Sequence, residues 1–228
     1  IFTFNKGSAF SEPFLTATTR SSSSGTSEFS EATAAISAIQ KAMDALQNNE
    51  PDYQTSFDTL DGWVTSEGAS LDNGKLVVTS ETDKHEVVSI SNNGSDILAV
   101  EYDMQILESS PNSLCVLTIN NGPEGESFRG IRNGFFWDGN TKLINFINDS
   151  PQLYIASSPF DKTRTNTVTM IILEDQIALF MNGELAFTTI APGGSAFYIE
   201  INFAATNTIV CEYDNYKLWD LSGVDLNP

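Results

Sequence analysis

Basic side chains are scarce in this chain: 11 lysines and arginines stand against 30 acidic residues, a formal net charge of -19 with histidine neutral. A nucleic-acid partner requires a cationic footprint that releases counterions, and this chain carries the opposite sign. Anionic lipid headgroups repel it for the same reason. No apolar run approaches the roughly 20 residues that a spanning helix needs. Nucleic-acid binding and direct membrane insertion are therefore excluded. Histidine occurs once, as His85, which removes multi-histidine metal sites and gives a Ser-His-Asp triad little support. At the head of an apolar strand, between Lys84 and Glu86, it reads as a solvated strand end. Cysteine occurs twice, as Cys115 and Cys211, too few for a disulfide-framework miniprotein and too far apart for a local zinc knuckle. The chain begins at Ile1 rather than at a methionine, with no charged and apolar leader ahead of it. That is expected of a chain whose targeting segment has been removed, or whose numbering starts inside a longer precursor.

Hydrophobic residues make up 40% of the sequence and aromatics 11%, ample for a packed core despite the charge. A length of 228 residues predicts one domain of generous size or one domain with an appendage, since domains usually run to roughly 100–200 residues. Strong acidity, little lysine and abundant Ser, Thr and Asn read as an extracellular or cell-surface protein. The sequons Asn93-Gly94-Ser95 and Asn148-Asp149-Ser150 are competent for glycosylation there.

The chain divides into three. Residues 1–26 form an extended arm and linker: Ile1-Phe2-Thr3-Phe4 alternates like a short strand, Phe10 and Phe14 continue the apolar series, and Ser21-Ser22-Ser23-Ser24-Gly25 is too polar to fold alone. Gly7 and Pro13 interrupt the arm, so a strand is expected only near residues 1–5. Residues 27–52 hold one amphipathic helix, helical over 28–48, with Phe29, Ile36, Ile39, Met43 and Leu46 on one stripe. Ser27 is a natural N-cap, Glu28 and Glu31 suit the positive end of the helix dipole, and Asn48-Asn49 with Pro51 ends the element. The plainer placement packs this helix on its own domain. The alternative docks the arm and helix on a neighbouring subunit through Ile1, Phe2, Phe4, Phe29, Ile36 and Met43, giving self-association.

Residues 53–228 change to period two. Strands are predicted near 53–58, 75–80, 85–90, 97–107, 113–120, 134–138, 142–147, 152–156, 166–173, 176–181, 184–190, 196–203 and 208–219. Turn chemistry separates them, as in Asp72-Asn73-Gly74, Asn120-Asn121-Gly122-Pro123 and Pro192-Gly193-Gly194. Short strands at regular spacing without helical crossovers mean an all-β antiparallel sandwich or barrel.

Three stretches narrow this. Phe57-Asp58-Thr59-Leu60-Asp61-Gly62-Trp63 with Leu71-Asp72-Asn73-Gly74-Lys75-Leu76 resembles the opening strand and hairpin of the concanavalin A-like lectin/glucanase jelly roll, in its laminin G-like and 3-keto-disaccharide-hydrolase-like branches. Leu179-Phe180-Met181-Asn182-Gly183-Glu184-Leu185 is similar to that family's Asn-Gly hairpin, whose positive φ angles a type I′ turn demands. Tyr213-Asp214-Asn215-Tyr216-Lys217-Leu218-Trp219 resembles its closing strand. The resemblance spans about residues 53–222 and implies a two-sheet antiparallel jelly-roll sandwich. It does not imply one activity, because the fold carries lectins, glycosidases, adhesins and structural modules.

Glycosidases of this fold carry a glutamate nucleophile, a helper aspartate and a glutamate acid/base at alternate positions of one strand, about 7 Å between successive members. Glu101-Tyr102-Asp103-Met104-Gln105 matches the first two, but an amide stands at the third, and it cannot donate a proton to a leaving oxygen. No enzyme activity is expected. The ordinary account of this strand buries Val100, Tyr102, Met104 and Ile106 and turns the polar residues outward. A sugar site needs aromatic platforms and fixed planar polar groups. Trp137, Asp138 and Arg132 are candidates, beside Phe135, Phe136 and Tyr154, together with Glu101 and Asp103. Core filling is the plainer account of the aromatics, and Phe128 to Asn133 reads as a solvated loop.

The resemblance also implies one structural Ca²⁺, with Asp214 on the closing strand and Asp58 or Asp61 near the opening one; no dense acidic loop supports it, and surface carboxylates are the plainer account. Cys115 and Cys211 both sit in apolar strands, where two inert core thiols are favoured over a disulfide across the sandwich. The leading functional expectation is a non-catalytic extracellular sandwich for carbohydrate binding or adhesion. Its rivals are a structural subunit of a filament or lattice built through the arm and helix, and a glycoside-active enzyme.

Overall fold

The computed structural model of the chain describes residues 29–82, 84–92, 97–110, 113–121, 130–137, 141–147, 150–154, 164–174, 176–190 and 199–226, and at 29–37, 85, 87, 89, 91–92, 114, 116–154, 187, 189–190 and 199–206 it describes the backbone alone. The arm with Ile1, Phe2 and Phe4, the Asn residues of both sequons and Asp138 lie outside the described residues.

A helix, α1 (Phe29–Asn48), precedes the strands. They run β1 (Tyr53–Thr55), β2 (Trp63–Thr65), β3 (Ala69–Asp72), β4 (Lys75–Ser80), β5 (His85–Asn92), β6 (Leu98–Ser109), β7 (Ser113–Asn121) and β8 (Gly130–Trp137). Then come β9 (Thr141–Ile147), β10 (Ser150–Tyr154), β11 (Asn166–Ile172), β12 (Gln176–Met181), β13 (Glu184–Ile190), β14 (Ile199–Thr206) and β15 (Ile209–Asp220). One sheet has the order β13-β12-β11-β6-β15-β4-β3, with β1 also paired to β15; the other has the order β10-β9-β8-β7-β14-β5-β2. The pairings are antiparallel. This is the two-sheet sandwich that the turn spacing and the resemblance predict.

Period two explains the core. Leu98, Val100, Tyr102, Met104 and Ile106 of β6 point inward. They meet Val168, Met170 and Ile172 of β11 and Ile209, Cys211, Tyr213 and Leu218 of β15. Asn73-Gly74 and Asn182-Gly183 both adopt positive φ, which closes the β3–β4 and β12–β13 hairpins as type I′ turns. Cys115 of β7 and Cys211 of β15 form a disulfide that ties one sheet to the other. The favoured expectation of two free thiols is thereby corrected: each strand turns its cysteine inward, so the two sulfurs meet in the middle of the sandwich. The Tyr213 hydroxyl donates to the Cys115 sulfur at 2.6 Å.

Two short strands, β2 and β3, were not expected, because three or four residues carry too little periodicity to read. The strand expected over 53–58 stops at Thr55, and β8 begins at Gly130, so Arg132 lies on a strand rather than in a loop.

At the end of β11 the run Met170-Ile171-Ile172, continued by Leu173, is apolar on both faces, and α1 is the reason. Ile39, Ala42 and Ala45 of the helix pack on the outward-facing Ala99, Ile171, Ala178 and Trp219. Trp219 Nε1 donates to the Asn49 carbonyl at 3.1 Å, and the Asp220 amide donates to the Asp52 carboxylate at 2.7 Å, latching the helix end to β15. Met43 and Leu46 of the predicted stripe lie half-buried against the same cluster, so this half of the helix packs on its own sandwich. The side chains of Phe29 and Ile36 lie outside those described.

Candidate functional site

Among the described side chains, those of the helix cover one end of that sheet face. Beyond Ala99, the outward positions of β6 become Glu101, Asp103 and Gln105, set at alternate residues and so on one side of the strand. The neighbouring strands supply partners in register: β11 places Thr169 opposite Glu101 and Thr167 opposite Asp103, and β15 places Lys217 opposite Glu101 and Asp214 opposite Asp103. Lys217 Nζ donates to Glu101 Oε1 at 2.8 Å, and the Thr169 hydroxyl donates to Oε2 at 3.1 Å. The Thr167 hydroxyl donates to Asp103 Oδ1 at 2.6 Å, and Asn215 Nδ2 donates to Oδ2 at 2.8 Å. Every oxygen of both carboxylates is therefore engaged. Thr165 makes a longer contact, 3.4 Å, to the Gln105 amide oxygen.

Asn215 reaches Asp103 because β15 breaks its alternation there. The register shifts between Asp214 and Lys217, a β-bulge, and Asn215 takes φ 50. Tyr213 and Tyr216 both stay in the core while Asp214 and Asn215 between them face outward. The bulge also falls where β15 changes partners, from β4 up to Tyr213 to β1 from Tyr216. Asp103 and Asp214 stand directly opposite each other, an unfavourable like-charge pair on a sheet. Lys75, ion-paired with Glu212 on the adjacent strands, offsets it. The Glu212 hydrogen bond, with the charges of Glu212, Asp214 and Asp103, holds the Lys75 ammonium above its usual pKa despite partial burial.

Two depressions meet at Asn215. One, of about 240 Å³, runs from Lys75 and Glu212 past Asp103, Gln105 and Asp214. The other, of about 480 Å³, lies between β15 and the segment after β1, lined by Gln54, Ser56, Asp58 and Lys217. The Ser56–Asp58 segment is held from beneath. Phe57 adopts φ 54, is fully buried, packs on Trp63 with ring centroids 5.4 Å apart, and donates its amide to the Thr55 hydroxyl at 2.9 Å. The Ser56 hydroxyl in turn donates to Asp58 at 2.8 Å.

Of the candidate ligand-binding residues, Glu101 and Asp103 therefore belong to this face. Arg132 and Trp137 lie on β8 in the other sheet, and Asp138 lies outside the described residues. The two halves of that candidate set do not share a sheet. Asp214 and Asp58, expected as calcium ligands, line separate depressions. Asp214 accepts the Asn215 amide at 2.7 Å, and among the described residues no three acidic, cysteine or histidine groups converge on a point a cation could occupy. Asn215, Lys217, Thr167 and Thr169 were missed. The one readable signal was the pair of polar residues between Tyr213 and Tyr216, which breaks the period by one.

No protein-family model matches the chain, and no curated protein matches it in sequence. Solved structures match it in shape. The carbohydrate recognition domain of Emp46p in its potassium-bound form has a TM-score of 0.61 at 16% identity, over 73% of this chain and 94% of that one. A GlcNAcα1-4Gal-releasing endo-β-galactosidase from Clostridium perfringens has a TM-score of 0.58 at 8% identity, over 75% of this chain and 62% of that one. The chain has the concanavalin A-like fold. The carbohydrate-binding module CBM66 from Bacillus subtilis is also similar, with a TM-score of 0.51 at 13% identity, over 69% of this chain and 95% of that one. Within this concanavalin A-like sandwich, the polar row sits on the outer face of the sheet that α1 partly covers. The neighbours include both binding domains and a hydrolase, so the fold leaves the chemistry to the row itself.

Proposed function

We propose that this chain is a non-catalytic carbohydrate-binding domain of an extracellular or cell-surface protein, and that it binds at the polar end of the sheet face beside α1. The observation that carries the reading is the Asp103–Asn215 pair. A carboxylate and an amide hydrogen-bonded to each other at 2.8 Å on adjacent strands keep a second lone pair and a second N–H side by side, the arrangement that two neighbouring sugar hydroxyls satisfy. Sugars compete poorly with water for mobile groups, so affinity depends on polar atoms already held in place. Here the sheet, the bulge and the Thr167 hydroxyl hold them. The carbohydrate-binding domains among the structural neighbours support the same reading.

The third position supports binding without hydrolysis. Gln105 has no proton to give a leaving oxygen, and Glu101 is tied to a lysine and a threonine rather than poised for attack. A cross-sheet disulfide favours an oxidising compartment, in keeping with extracellular placement. The test is a glycan array followed by calorimetry on the strongest binder. Asp103→Ala and Asn215→Ala should each weaken binding by about tenfold or more, the loss of one to two hydrogen bonds, while melting cooperatively. Variants that melt normally and bind as tightly as wild type would contradict the assignment.

A further inference from the structure

The two depressions differ in a way that speaks to the size of the ligand. At about 240 Å³, the one over Asp103 and Asp214 falls below the ~300–1,000 Å³ usual for small-molecule sites. Asn215 lines it and also lines the larger one of about 480 Å³, whose far wall is Ser56 and Asp58. That wall is built at a cost. A positive φ is a rare conformation for a bulky residue, yet Phe57 holds φ 54 with its ring fully buried. The result is that Ser56 and Asp58, on either side of it, stand exposed above a fixed anchor. Asp58 also lies against the β3–β4 turn, where a side chain at Gly74 would come within 3.4 Å of its carboxylate. A wall fixed at both its backbone and its side chains loses little freedom when a ligand arrives.

We infer that the site takes a linear oligosaccharide of two or more units rather than a single sugar, one unit over Asp103 and Asp214 and the next across Asn215 against Ser56 and Asp58. This deepens the carbohydrate-binding reading and rests on it. Asn215 is the shared element, facing both depressions from the bulge. Ser56 and Asp58 then act only on the second unit, whereas Asp103 acts on the first.

The test is calorimetry on three homologous series: glucose, cellobiose and cellotriose; mannose, mannobiose and mannotriose; galactose, galactobiose and galactotriose. In at least one series the affinity should rise by about tenfold or more from the monosaccharide to the disaccharide. Ser56→Ala and Asp58→Ala should each reduce that increment while leaving monosaccharide affinity within about twofold, and Asp103→Ala should weaken every member. Two exposed positions are used so that a folding defect in one does not decide the result. A monosaccharide that binds as tightly as its oligomers overturns the two-unit site and leaves carbohydrate binding standing. So does unchanged trisaccharide affinity in both wall variants. If none of the nine binds but the glycan array yields a binder, that glycan's own monosaccharide-to-trisaccharide series takes their place; no binder in either overturns both readings.

Discussion

Glu101 and Gln105 carry the proposal that the chain binds glycans without hydrolysing them. In a retaining mechanism one carboxylate attacks while an acid protonates the leaving group. Here the position four residues from Glu101 is an amide, and Glu101 itself is ion-paired with Lys217 at 2.8 Å. Incubation with β-glucans and activated aryl glycosides should give turnover no faster than a Glu101→Ala control; a clear wild-type excess would show that another group supplies the proton. The alternation that sets Glu101 and Asp103 side by side was legible in five consecutive residues. Their partners were not, because Thr169 and Lys217 lie 68 and 116 residues away, and only strand order brings them together. Arg132 and Trp137 drew notice as a rare charge and a large aromatic, but composition says nothing about which sheet a residue joins.

At the scale of elements, strands of six or more residues and the Asn-Gly hairpins were readable because both rest on local rules, side-chain period and positive φ. The bulge in β15 showed in the sequence only as the break of period between Tyr213 and Tyr216, since a bulge is a mismatch between two strands. The destination of α1 was not fixed either: an apolar stripe calls for a partner without saying whose. The structure packs its second half, through Ile39, Ala42 and Ala45, on the outer face of β6, β11, β12 and β15. A carboxylate placed at fully buried Ala42 would have no partner there, and burying a charge without one is among the few changes that cost several kcal/mol. Ala42→Asp should therefore release the helix end and lower the melting temperature, with the antiparallel circular dichroism of the sandwich retained below it. An Ala42→Asp protein that melts with wild type would mean that the helix contributes nothing where it sits.

The whole molecule is held by one cross-sheet core, and its buried tyrosines make that core sensitive to alkali. Burial pushes the phenols of Tyr102, Tyr213 and Tyr216 above their ordinary pKa of 10.0. The folded state thus keeps protons that the unfolded chain gives up from about pH 10, and by linkage stability falls as pH rises past that point, by about 1.4 kcal/mol per pH unit for each tyrosine. Below that pH they add no pH dependence. Phenolate absorbance and circular dichroism should show part of the tyrosine titration arriving together with loss of the sheet signal. If all six tyrosines ionise near pH 10 with the fold intact, the burial is not as described. The central claim, that this sandwich binds a glycan on the polar end of one sheet face, is tested most directly by amide hydrogen exchange of the wild-type protein with and without the strongest glycan from the array. The account predicts added protection over residues 101–105 of β6 and 212–217 of β15. Protection confined to the other sheet, around β8, or none at a saturating glycan concentration, would contradict it.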